Sequence, residues 1–176
     1  YDLTKPDQVA KLSKDYDIVF HLAAINGTEN FYTIPYDVMR VSIASTMNLL
    51  DHFKDSATKF IYSSSSETYA ATLKNFRPDA IPTSEDIELC IDDIHNERFS
   101  YGGSKIACEL LVSNFSKQYG LHYQIIRYHN IYGPRMGTKH VVPQFVKRLI
   151  SCTGNFEIFG GSQTRAFCYI SNAVVA

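Results

Sequence analysis

Apolar positions along the chain alternate between short continuous runs and longer stretches of helical period. Ile18-Val19-Phe20-His21-Leu22-Ala23-Ala24 is a nearly unbroken apolar run, the pattern of a strand buried on both faces. Residues 36–53 follow Pro35 and repeat their apolar side at Val38, Val41, Leu49 and Phe53, which predicts a helix. Lys59-Phe60-Ile61-Tyr62-Ser63 predicts the next strand, and residues 71–99 form a long polar, Pro-containing stretch. A second helix is predicted over 101–118, turning Ile106, Leu110 and Phe115 inward, with Gly120 where a C-terminal cap belongs. A strand over 123–128, a helix over 141–151 and short strands over 156–159 and 167–170 complete the reading. Strands alternating with helices imply an α/β fold, a doubly wound parallel sheet with helices on both faces. In such sheets ligands bind beyond the C-terminal strand ends, so functional residues are expected just after each apolar run.

Composition narrows the function classes. The 176 residues contain 45% hydrophobic and 20% charged residues with a formal net charge of -1, ordinary values for a globular domain. Lys and Arg are scattered among Asp and Glu, which argues against nucleic acid and membrane surfaces as partners. Cys90, Cys108, Cys152 and Cys168 are widely and irregularly spaced. That spacing excludes a disulfide framework and a Cys-x-x-Cys zinc site, and no metal is expected. Unpaired cysteines, no apolar stretch of membrane-spanning length and no secretory signal lead to a cytoplasmic expectation.

Tyr101-Gly102-Gly103-Ser104-Lys105 is the strongest chemical signal. Residues four apart share a helix face, so the Lys105 ammonium is placed near the Tyr101 hydroxyl. A tyrosine titrates near ~10 in isolation, and a neighbouring positive charge lowers that value, making Tyr101 usable as a general acid/base. The plain alternative is a surface tyrosine and a surface lysine at a common spacing. Ser63-Ser64-Ser65-Ser66-Glu67-Thr68-Tyr69 follows directly on a strand. A serine there is suited to hydrogen-bond the oxygen whose proton Tyr101 handles, or simply to cap the turn that follows. Downstream, a strand ends in Arg127-Tyr128-His129-Asn130-Ile131-Tyr132-Gly133-Pro134-Arg135.

The order of these three segments resembles the extended short-chain dehydrogenase/reductase family, in particular its nucleotide-sugar epimerases, dehydratases and decarboxylases. The resemblance runs nearly the whole length of the chain and implies a Rossmann-like form of the doubly wound sheet. It implies Ser65 and Tyr101 as catalytic hydroxyls, with Lys105 tuning Tyr101 and holding the nicotinamide ribose. It implies cofactor contacts at Asp2, Leu3, Leu22, Ala23, Ala24, Ser63, Tyr101, Lys105, Tyr128 and His129. It implies substrate contacts at Ser65, Asn130, Arg135 and Arg165, with Asn130 and Arg165 on a diphosphate, a task suited to a guanidinium fork. NAD, or NADP, is the implied cofactor, a nucleotide-diphosphate sugar the implied substrate, and a homodimer the implied state of the full-length protein. Two positions depart from the family pattern: Ser42 stands for an asparagine and Asn172 for an aspartate.

The chain contains no Gly-x-x-Gly-x-x-Gly loop after a first strand, the element that cradles a cofactor pyrophosphate. It is therefore expected to be a fragment, incomplete at both ends and inactive alone. Residues 1–135 are expected as the cofactor-binding core without its first βα unit, and residues 136–176 as the start of a smaller substrate-binding region. The implied chemistry is a transient keto-sugar, with epimerisation as the leading reaction. Glu67, two positions after Ser65, matches the extra acid of decarboxylases and 4,6-dehydratases, which are kept as the alternative. A steroid- or flavonoid-type reductase sits poorly with Asn130 and Arg165, and a non-catalytic NAD(P) sensor has no use for Ser65, Tyr101 and Lys105.

Overall fold

A computed structural model of the chain describes residues 1–57, 59–158, 160–162 and 164–176. They fall into two compact units, Tyr1–Arg127 and Tyr128–Ala176. The first unit runs through helix α1 (Pro6–Val9), strand β1 (Ile18–His21), helix α2 (Thr28–Thr33), helix α3 (Pro35–Phe53) and strand β2 (Lys59–Ser65). A 3₁₀ turn (Ser66–Tyr69), helix α4 (Ala70–Asn75), helix α5 (Phe99–Tyr119) and strand β3 (His122–Tyr128) follow, the last residue of β3 opening the second unit. The sheet order is β1-β2-β3. β1 and β2 run parallel, Ile18 opposite Lys59 and His21 opposite Tyr62. Parallel strands joined by helical crossovers make this a Rossmann-like α/β fold.

Local sequence explains the two long helices. Pro35 stands in the first turn of α3, where its missing N–H costs nothing. α5 stops at Gly120, which takes the left-handed conformation at φ 78° while its N–H reaches the Ser116 carbonyl at 2.8 Å. The two helices pack on each other. With β2 and α1 they enclose a core of Val9, Leu49, Leu50, Phe53, Phe60, Tyr62, Cys108 and Val112. Each fully buried side chain of this kind contributes roughly 1.5–3 kcal/mol.

The second unit consists of strand β4 (Asn130–Tyr132), helix α6 (Val141–Ser151), strand β5 (Phe167–Tyr169) and helix α7 (Ile170–Val175). β4 and β5 are parallel, with Asn130 opposite Phe167.

Three expectations from the pattern need correction. β1 is not buried on both faces in this chain: Ile18 and Phe20, with Leu22 just after the strand, are exposed, while His21 on the opposite face is 3% exposed. Leu110 points outward, and the buried stripe of α5 carries Tyr101, Lys105, Cys108, Glu109 and Val112 instead. Residues 156–158 form no strand, and Phe159 lies outside the described residues. α4 occupies the first residues of the stretch that reads as long polar chain over 71–99.

His21 is a polar group inside this core. Its Nε2 lies 3.1 Å from Thr46 Oγ1, and burial, reinforced by the Lys105 charge, pushes its imidazole down to about 4 from 6.5. Between those two values the unfolded chain binds a proton that the folded chain does not. Stability therefore falls as pH drops from 6.5 to about 4 and loses no more from this group below that. At about 1.4 kcal/mol per pH unit the loss is on the order of 3 kcal/mol. Urea titrations at successive pH values are expected to trace that slope, and His21→Gln to flatten it.

Candidate active site

The end of β2 and the start of α5 bring the expected hydroxyls together. Gly102 permits it: a Cβ there would meet the Glu67 carbonyl oxygen at 3.0 Å, so the first turn of α5 seats directly on the 3₁₀ turn. Ser65 caps that turn, its Oγ accepting from the Glu67 N–H at 3.2 Å. The same hydroxyl lies close enough to the Tyr101 phenol to favour its ionised form. A hydroxyl carries one donor and two acceptor sites, so capping and catalytic placement are compatible at one serine.

Lys105 lies one turn after Tyr101, and its Nζ donates to the Ser63 carbonyl at 2.6 Å. The ammonium is 5.5 Å from the Tyr101 ring centroid and 4.9 Å from that of Tyr62. Lys105 is 3% exposed, and burial pulls its amine down to about 8 from 10.5. Tyr101 is not lowered as the spacing implies. Burial raises it above its ordinary value, the Ser65 hydrogen bond opposes that rise, and the Glu67 charge adds to it. The Lys105 ammonium donates to the Ser63 carbonyl, and desolvation is the largest influence on the phenol.

Two further contacts are invisible in the motifs. Glu67 is held by Arg98 Nη2 at 2.8 Å, both side chains being about a third exposed. Arg98 immediately precedes α5, so its place three residues before Tyr101 was the available signal. Phe31 of α2 stacks on the Tyr101 ring at a centroid distance of 4.7 Å and 13° between planes. Nothing in the spacing of residues 28–33 announces that contact.

The remaining expected residues divide between the units. Leu3, Leu22 and Ala23 line one cleft of about 410 Å³ along β1. Asp2 accepts hydrogen bonds from the Thr4 hydroxyl and N–H, at 2.7 and 2.9 Å, which hold its carboxyl below the usual range. Ala24 follows Ala23 half-buried. In the second unit the Asn130 side-chain amide donates to the Ala166 carbonyl at 3.0 Å, so the β4–β5 register brings Asn130 beside the segment that carries Arg165. Arg135, at φ 65°, lines a separate cleft of about 460 Å³ with Tyr132, Val142, Pro143, Val146 and Tyr169. Tyr128 is half-buried and His129 exposed. Among the described residues no His, Cys, Asp and Glu cluster is arranged to hold a metal, and no helix is long and apolar enough to cross a membrane.

The family model described as the NAD dependent epimerase/dehydratase family matches residues 1–176. The chain belongs to that family. Among curated family members, it is 32% identical over 169 residues to the UDP-N-acetyl-alpha-D-glucosaminuronate decarboxylase of Bacillus cytotoxicus, covering 94% of this chain and 50% of the relative. Among solved structures, a UDP-N-acetylglucosamine 4-epimerase from Methanobrevibacter ruminantium M1 superposes with a TM-score of 0.83 at 28% identity, covering 99% of this chain and 54% of that one. The UDP-glucuronic acid 4-epimerase of Bacillus cereus, in complex with UDP-glucuronic acid and NAD, gives 0.81 at 27% identity, covering 99% and 52%. The chain thus spans about half the length of the family members it matches.

Proposed function

We propose that the chain forms the catalytic segment of an NAD-dependent enzyme that epimerises a nucleotide-diphosphate sugar through a transient keto-sugar. The convergence of Ser65, Tyr101 and Lys105 carries the reading. Tyr101 takes the proton from a sugar hydroxyl and later returns one, and the Ser65 hydroxyl hydrogen-bonds the same sugar oxygen. Lys105 anchors the end of β2 through the Ser63 carbonyl, one helical turn from Tyr101. The nicotinamide, when bound, supplies the hydride acceptor that makes the sugar oxidation reversible.

The fit to NAD is supported by the cleft at Leu3, Leu22 and Ala23, apolar enough for one flat ring, and by a buried Lys105 amine suited to ribose hydroxyls. The pyrophosphate finds no glycine-rich cradle in these residues. Asn130 and Arg165 would meet the substrate diphosphate, and Arg135 with its cleft the nucleotide end. Asn130 and Arg135 belong to the second unit, so the change from cofactor-serving to substrate-serving residues would fall near Arg127 rather than at the expected boundary after residue 135. The NAD named with the Bacillus cereus epimerase supports the cofactor, and the UDP-sugars named with both solved relatives support the substrate class.

A decarboxylase or dehydratase reading is favoured by one observation, the Glu67 carboxylate beside Ser65 and Tyr101, together with the 32% identity to a decarboxylase. The test is to incubate the full-length protein with NAD and UDP-sugars, neutral and uronic, and follow the products by proton NMR. A product of unchanged mass with one inverted carbon supports epimerisation. Loss of carbon dioxide or of water moves the assignment to the alternative, and no turnover of any nucleotide sugar sinks both.

A further inference from the structure

Beneath the catalytic segment lies an ion pair that the proposed mechanism does not use. Tyr101, Lys105 and Glu109 succeed one another at intervals of four along α5, all buried. Glu109 is 7% exposed and meets Arg127 of β3 in a two-pronged contact, Arg127 Nη2 to Oε2 at 2.7 Å and Nε to Oε1 at 3.0 Å. Both partners of this pair also hold the chain around Ser65. The Ser64 hydroxyl donates to Glu109 Oε1 at 2.5 Å. Arg127 Nη1 donates to the Tyr69 hydroxyl at 3.0 Å, and its guanidinium lies 5.1 Å from the Tyr69 ring centroid. A third bond, to the Glu85 carbonyl at 2.8 Å, fixes the fork from the far side. Side chains alternate along β2, so Ser64 turns into this network while its neighbour Ser65 turns towards Tyr101.

A buried ion pair is a weak source of net stability, because desolvation offsets much of the attraction. Its geometric effect is stronger: a bidentate fork fixes orientation as well as distance. We propose that Glu109 and Arg127 are positioning residues, their ion pair gripping the catalytic segment at Ser64 and at Tyr69 and so fixing the Ser65 hydroxyl against Tyr101. This rests on the proposed role of Tyr101 and Ser65 as catalytic hydroxyls. Three titratable groups face Tyr101: Glu67 from the 3₁₀ turn, Tyr62 from β2 and Lys105 from its own helix. None of them is altered by cutting the two tethers.

The test uses the full-length enzyme with Ser64→Ala and Tyr69→Phe combined, which removes both tethers and leaves the ion pair in place. A misplaced reacting group costs rate without weakening binding. The double variant is expected to lose about tenfold or more in kcat with KM within about twofold. Because the Ser65 bond holds Tyr101 down, the limb of kcat/KM governed by Tyr101 is expected to move to higher pH. Should the double variant fail to fold, Ser64→Ala alone, which deletes one hydroxyl, reads the same limb. A lower Tm with kcat and the limb unmoved overturns the proposal and leaves a purely structural ion pair. Tyr101→Phe separates the two levels: if it stays active, the catalytic reading fails. If it is inactive while the tether variants behave as wild type, the positioning role alone fails.

Discussion

Replacing Tyr101 by phenylalanine in the full-length enzyme is expected to lower kcat on the order of a thousandfold while nucleotide-sugar binding persists. The ring and its stacking on Phe31 survive the change, and only the hydroxyl facing Ser65 is lost. General acid/base groups of this kind are worth roughly a hundred- to ten-thousandfold, some 3–5 kcal/mol of barrier. Lys105→Met is expected to be comparably inactive but more stable than the wild type. The folded lysine titrates at about 8 against 10.5 in the unfolded chain. Between those values the unfolded chain holds a proton that the folded one lacks, so stability rises with pH through that window and the cost is complete below it. At pH 7 the methionine variant removes a cost of up to about 3 kcal/mol, less what the Ser63 carbonyl loses with its partner. Circular dichroism melts beside steady-state kinetics check both halves. An active phenylalanine variant, or a methionine variant that is both inactive and less stable, contradicts the account.

Much of this was legible in the sequence because it is local. The period of α3 and α5, the Gly120 cap and the serine run at the end of β2 each depend on residues a few positions apart. So does the i, i+4 placement of Tyr101 and Lys105. What escaped depends on partners far along the chain. Glu67 and Arg98 are 31 residues apart, and Ser64 and Glu109 are 45 apart. One more helical turn beyond Lys105 would have reached Glu109, but nothing in the strand told that Arg127 faces it. The apolar run of β1 predicts burial on both faces because apolarity records which positions tolerate burial, not what covers them. The direction of the Tyr101 shift is not legible in the spacing for a related reason. Spacing places a charge, whereas desolvation depends on everything packed around the phenol.

Glu67→Gln divides the two reactions that Ser65, Tyr101 and Lys105 leave open. The substitution keeps the size of the side chain and much of its hydrogen bonding to Arg98, and it removes the charge. Loss of the ion pair costs little by itself, since both partners are about a third exposed and such pairs contribute ~1 kcal/mol or less. For an epimerase, oxidation and return of hydride need no second carboxyl. The rate is then expected to change by less than about tenfold. The Glu67 charge also raises Tyr101, so its removal is expected to move the Tyr101 limb to lower pH, opposite to the shift expected when the Ser64 and Tyr69 tethers are cut. For a decarboxylase or dehydratase, Glu67 must leave Arg98 and act on the oxidised sugar as a positioned acid/base. Its loss then costs on the order of a hundredfold or more, with accumulation of the keto-sugar as the accompanying sign. A loss below about tenfold with the limb displaced downward supports epimerisation. A hundredfold loss in a variant of unchanged Tm transfers the assignment to the decarboxylase or dehydratase class.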